Sequence, residues 1–234
     1  MAASLNSPSA ETALQALSEA GRPMTGVELT AKGVSRMALK RLVEAGVLER
    51  VARGIFKAVE SNTPMPEDPR AVWAWASIRN PSIVFCLESA AAFHHLTQGM
   101  APKLNIAIHV RSKAATTELT SGVDADYFYW NDDFLAVGVD TVKIEGVDVR
   151  ITSPERTVVD MFRYSSMAPA SIRTERMIES EAFHDCLMRF FEKQSDPAEG
   201  MKKLRKVAKP LGLWDRMKPQ IELVAMTIGR DYRG

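Results

Sequence analysis

Two cysteines in 234 residues, Cys86 and Cys186, lie far apart and form no metal-type spacing. Both sit in apolar surroundings, so buried free thiols are expected rather than a disulfide. No apolar run approaches the ~18–20 residues of a membrane span. The opening MAASLNSPSAE carries neither a basic region nor an apolar core of signal-peptide type, so a cytoplasmic protein is expected. There is no glycine-rich phosphate loop, no nucleophile elbow, no zinc spacing and no convincing acidic nuclease pattern. Asp124, Asp126 and Asp140 read as ordinary turn or strand-end acids. His94 and His95 are adjacent, and neighbouring residues on a helix point about 100° apart, which disfavours a shared ion. No active site, metal or cofactor is expected, and the chain reads as a non-enzyme.

What is present is an ordinary soluble composition, 46% apolar and 25% charged, in a chain long enough for one large or two small domains. The most informative stretch is residues 25–57. Ser35 stands as an N-cap before a helical run in which Leu39, Leu42 and Val43 share one face. Met37, Lys40, Arg41 and Glu44 occupy the other face, with Arg36 on the flank. Gly46 ends the helix. Upstream, Val27 and Leu29 are expected to pack inward from a shorter helix, and Gly33 supplies the positive φ of a tight turn. Downstream, residues 47–51 and 55–57 read as two strands joined by Ala52-Arg53-Gly54, with Arg53 at the tip. Helix, turn, helix and hairpin in that order make a winged helix-turn-helix, which sets one helix in the DNA major groove.

Charge agrees. Between residues 20 and 57 stand eight basic residues (Arg22, Lys32, Arg36, Lys40, Arg41, Arg50, Arg53, Lys57) against three acidic ones (Glu28, Glu44, Glu49). The segment is +5 on a chain that is +1, so the remainder is about −4. A local positive surface on a near-neutral protein is the footprint of a DNA-binding module. The plainer alternative is a solvated basic face on a small helical domain.

The run Gly46-Val47-Leu48-Glu49-Arg50-Val51-Ala52-Arg53-Gly54-Ile55-Phe56 resembles the wing of the AbiEi family antitoxins of bacterial type IV toxin–antitoxin systems. Gly33-Val34-Ser35 is similar to the turn that opens the family's recognition helix. Further on, Gly146 through Asp160 (GVDVRITSPERTVVD) resembles the family phrase that ends in T-[ST]-P-x-R and a following Asp. Leu87-Glu88-Ser89-Ala90-Ala91 and His95-Leu96 match the family in part. Arg111 stands where the family has a proline after a strand. The resemblance implies a repressor of its own operon that counteracts a nucleotidyltransferase toxin without forming a stable complex with it.

The expected fold class is α+β: a winged helix-turn-helix over 9–60, a proline-rich linker over 61–69, and a mixed α/β effector domain over 70–234 that ends in helices. In the first part, Ser9 is expected to cap a helix that ends at Gly21. In the second, helices are expected over 70–78 and 88–96, strands over 105–110, 126–130, 139–144 and 147–151, and a hairpin turn at Glu145-Gly146. Thr152 or Ser153 caps a helix with Pro154 in its first turn, and Arg156 pairs with Asp160 four residues on. Helices follow over 174–193, 197–209 and 213–228, with a basic face of Lys202, Lys203, Arg205, Lys206 and Lys209. The expected DNA-binding residues are Ser35, Arg36, Met37, Lys40, Arg41, Arg50, Arg53 and Lys57. Double-stranded DNA is the expected partner. The alternatives are a winged-helix regulator whose second domain senses a small molecule, and a nuclease targeted by the winged domain.

Overall fold

Ser7 accepts a hydrogen bond from the Ala10 amide at 3.2 Å and caps the first helix, α1 (Pro8–Ala20). The expected cap was Ser9. Ser7 takes the role because Pro8 behind it suits the first helical turn, where its missing N–H costs nothing. The computed structural model describes residues 7–59, 69–99, 101, 103–111, 123–168 and 178–231. Most of the 61–69 linker segment lies outside them. The chain divides into two compact units. One comprises Met1–Pro81, Ala114–Val123 and Val142–Val149; the other comprises Ser82–Lys113, Asp124–Thr141 and Arg150–Gly234.

In the first unit α1 is followed by β1 (Met24–Thr25), α2 (Gly26–Ala31), α3 (Arg36–Glu44), β2 (Leu48–Ala52), β3 (Ile55–Ala58) and α4 (Ala71–Arg79). The three strands form one sheet in the order β1-β3-β2. Strand β1 was not foreseen. It is two residues long, too short for a period, and exists only through antiparallel pairing of Met24 with Phe56 and Thr25 with Ile55. Ala13, Leu17, Leu29, Val34, Leu39, Leu42 and Leu48 build the core. The expectation for Val27 is overturned: its side chain is 77% exposed. Residues two apart on a helix face nearly opposite sides, so burying Leu29 turns Val27 outward.

In the second unit come β4 (Val84–Phe85), α5 (Leu87–Phe93), β5 (Leu104–His109), β6 (Ala125–Trp130) and α6 (Asp132–Ala136), while β7 (Val139–Ile144) and β8 (Val147–Thr152) are each divided between the two units. Then follow α7 (Pro154–Arg163), α8 (Ser180–Glu192), α9 (Pro197–Ala208) and α10 (Trp214–Asp231). The sheet order is β6-β5-β4-β8-β7, with β4 antiparallel to β5 but parallel to β8, and β5 parallel to β6. The architecture is α+β, as the sequence indicates. The hairpin falls where expected, with Glu145 at φ 49° and Gly146 at φ 71°. The expected start of the 174–193 helix falls outside the described residues; the described helix begins at Ser180. Helix α5 stops at Phe93 rather than Leu96 because His95 turns to φ 57°, and the Leu96 amide then reaches back to the Ala91 carbonyl at 2.7 Å. Both cysteines are free and buried. Burial pushes the Cys86 thiol well up and the Cys186 thiol to about 12, so neither is a thiolate near neutrality.

Candidate nucleic-acid interface

Helix α2 is held at its start by a reciprocal cap. The Thr25 hydroxyl accepts from the Glu28 amide at 3.1 Å, and the Glu28 carboxylate accepts from the Thr25 amide at 2.7 Å. Arg22 adds a 2.6 Å ion pair to the same carboxylate. Burial alone pushes the Glu28 carboxyl up, but the bonds from Arg22 and Thr25 together hold it below its ordinary range. This Thr25-Gly-Val-Glu28 phrase was readable in the sequence as a helix start and was missed.

Gly33, at φ 99°, makes the turn into α3. Ser35 caps α3 through the Ala38 amide at 3.1 Å. Leu39 and Leu42 are buried, which commits the opposite face to solvent. Arg36, Met37, Lys40, Arg41 and Glu44 are all exposed, Met37 by 64%. Lys40 and Glu44 pair loosely at 3.7 Å across two exposed side chains, a contact worth little in water. The Arg41 guanidinium approaches the Met37 sulfur at 3.6 Å.

The wing is the β2–β3 hairpin, carrying Arg50 on β2 and Arg53 at its tip. Glu49 and Lys57 face each other across the ladder and pair at 3.4 Å. The Gly26 amide donates to the Gly54 carbonyl at 2.9 Å, tying the start of α2 to the wing turn. The Arg53 carbonyl accepts from Arg79 of α4 at 2.7 Å. These elements enclose a groove of about 630 Å3. Arg36 and Lys40 of α3, Arg50 of the wing, and Val27 and Thr30 of α2 all line it. Of the expected contact residues, Arg36, Lys40 and Arg50 therefore meet in one groove. Ser35, Met37, Arg41, Arg53 and Lys57 do not line it. Val27 and Thr30 were not anticipated at this surface, since only the packing of α2 reveals which of its residues face out.

In the second unit, the TSPERTVVD segment is a packed joint. Ser153 caps α7 through the Arg156 amide at 3.2 Å, and Pro154 occupies the first turn. The Arg156 and Asp160 side chains are 0% exposed and pair at 2.9 Å. A second Arg156 nitrogen donates to the Val137 carbonyl at 2.5 Å, and the guanidinium lies 4.6 Å from the Trp130 ring centroid. Trp130 in turn donates to the Tyr164 hydroxyl at 2.9 Å. Burial drives the Asp160 carboxyl up while Arg156 pulls it down, and burial likewise raises Tyr164 to about 12. His94 donates from Nε2 to the Thr152 carbonyl at 2.7 Å, and burial lowers its pKa, which favours neutral imidazole. Among the described residues no three His, Cys, Asp or Glu side chains are grouped for a metal ion. No described helix is long and apolar enough to cross a membrane.

Residues 13–56 match the family described as "Transcriptional regulator, AbiEi antitoxin". The resemblance read from the turn, recognition helix and wing is thus borne out over that segment. No curated protein matches the chain. Among solved structures, the RV2827C protein from Mycobacterium tuberculosis is 17% identical and covers 86% of this chain and 82% of its own, at a TM-score of 0.42.

Proposed function

We propose that this chain, whose residues 13–56 match the AbiEi antitoxin transcriptional regulators, is a repressor that binds DNA upstream of its own gene. In this reading residues 9–60 bind operator DNA. Residues 70–234 counteract a nucleotidyltransferase toxin encoded nearby, without a stable complex. The observation that carries the DNA-binding half is the convergence of Arg36, Lys40 and Arg50 in one groove beside an exposed recognition helix.

Each contact residue has a role that its chemistry suits. Arg36 and Lys40 project from α3 toward guanine edges, and Met37 toward a thymine methyl. Arg41, Arg50, Arg53 and Lys57 serve phosphates or the minor groove. Ser35 sets the entry angle of α3 by capping it. The +5 charge of residues 20–57 supplies the salt-dependent part of the affinity.

The test is binding of the purified full chain to a labelled duplex from upstream of its gene, against a scrambled duplex of equal length at physiological salt. A preference of roughly a thousandfold or more is expected, the range of specific regulators. Equal, weak binding to both would remove operator recognition from the reading. The antitoxin half is tested separately, by whether expression of the chain rescues growth of cells expressing the neighbouring nucleotidyltransferase. The Arg36→Ala/Lys40→Ala variant is expected to rescue as well as the wild type.

A further inference from the structure

The reading above leaves the positive charge near the end of the chain unused. On α9 and the turn after it, Lys202, Lys203, Arg205, Lys206 and Lys209 follow Glu199 with no further acid until Asp215. Two of these cations have local partners: Lys202 lies 3.9 Å from Glu199, and Lys203 donates to Gln194 at 2.9 Å. Among the described residues no ion pair engages Arg205, Lys206 or Lys209.

The charge also lines concave surface. Lys202, Arg205 and Lys209 meet Trp214 and Lys218 of α10 around a hollow of about 700 Å3, in which Asp215 is the one acid. The same three cations, Lys202, Arg205 and Lys209, with Lys206 and Pro210, line an adjoining hollow of about 540 Å3. Trp214 is only partly buried, with one part packed on the core of the unit and another lining the hollow. The Arg205 guanidinium stands 6.0 Å from its ring centroid, the outer limit of a cation–π contact, so the ring is not tightly capped.

An acidic protein would be served by the cations alone. A duplex would offer phosphates but no base face to an indole. Cations along a groove with an aromatic ring set among them are what an unpaired strand needs, because phosphates track the charge and a base stacks on the ring. We propose that the α9–α10 groove is a second nucleic-acid site that takes a single-stranded segment. Its phosphates lie along Lys202, Arg205, Lys206 and Lys209, and an unpaired base rests against Trp214.

The test uses the full chain carrying Arg36→Ala, Lys40→Ala and Arg53→Ala, so that the winged face contributes little. The probes are a fluorescein-labelled 16-nucleotide oligo(dT), oligo(U) of the same length, and a duplex of equal length. The single strands are expected to bind at least tenfold tighter than the duplex and to quench tryptophan fluorescence. Lys206→Glu/Lys209→Glu is expected to weaken single-strand binding at least tenfold and to lower the salt slope by about 1.4, since each phosphate contact contributes about 0.7. Trp214→Phe is expected to abolish the quench while the melting temperature stays near that of the parent. Should the charge-reversed chain misfold, Lys206→Gln/Lys209→Gln replaces it. Single-strand affinity unchanged in the charge variant, duplex binding as tight as single-strand binding, no oligonucleotide binding at all, or equal competition by polyglutamate would each overturn the proposal. Each of these outcomes is independent of operator binding by the winged face.

Discussion

Asp160 closes a fully buried ion pair in the second unit. Its carboxylate is 0% exposed and answers a guanidinium that is equally buried. Removing one partner of such a pair strands the other charge in a low-dielectric interior. Asp160→Ala is therefore expected to cost about 3–5 kcal/mol, read as a fall in the urea midpoint. Glu28 acts in the other unit and through pH. Its folded pKa lies below its ordinary 4.5, so it binds a proton less readily folded than unfolded. Its contribution to stability is present above pH 4.5 and is lost as the pH falls through the folded value. The stability gap between the wild type and Glu28→Gln should accordingly narrow as the pH is lowered from neutral to below 4.5 in urea titrations. A gap that stays constant across that range would remove the ionised carboxylate as its cause.

At the scale of elements, the caps position the helices that line the candidate groove. Thr25 and Ser35 open α2 and α3 in succession, so the angle between the two helices depends on a six-residue stub and one glycine turn. Thr25→Ala is expected to lower stability by about 1 kcal/mol in thermal or urea unfolding. The approach to α7 is governed by Gly138. It sits at φ 64°, and a Cβ there would meet the Arg156 Cβ at 2.8 Å. Gly138→Ala should destabilise the chain beyond the ~1 kcal/mol of the left-handed conformation alone, because the Arg156 side chain has no slack to yield. Helix α6 was legible but unread. Asn131 followed by two aspartates is a cap with acids in the first turn, and Asn131 accepts from the Phe134 amide at 3.0 Å.

Across the whole molecule, charge is partitioned: +5 over residues 20–57 and about −4 elsewhere on a chain of +1. A DNA-binding module on such a chain should depend steeply on salt. Arg53→Ala at the wing tip is expected to weaken duplex binding and to flatten the slope of log affinity against log salt by about 0.9, the share of one phosphate contact. Affinity unchanged across a salt series would take Arg53 out of the interface.

The features legible in the chain alone are local. Caps, glycine turns and apolar spacing placed α3, the wing, the Glu145-Gly146 hairpin and the start of α7 within a residue or two, because each is held by bonds between near neighbours. The Arg156–Asp160 pair was legible for the same reason, at one helical turn. Tertiary structure decided what depends on distant partners. Strand β1 exists because β3 offers an edge 30 residues away. The short β4 lies between β5 and β8 because both offer it ladder partners, at Ile106 and Ile151. Val27 faces out because Leu29 claims the core. The meeting of Arg36, Lys40 and Arg50 in one groove, and of α9 cations with Trp214 in another, follows from packing that no single segment specifies.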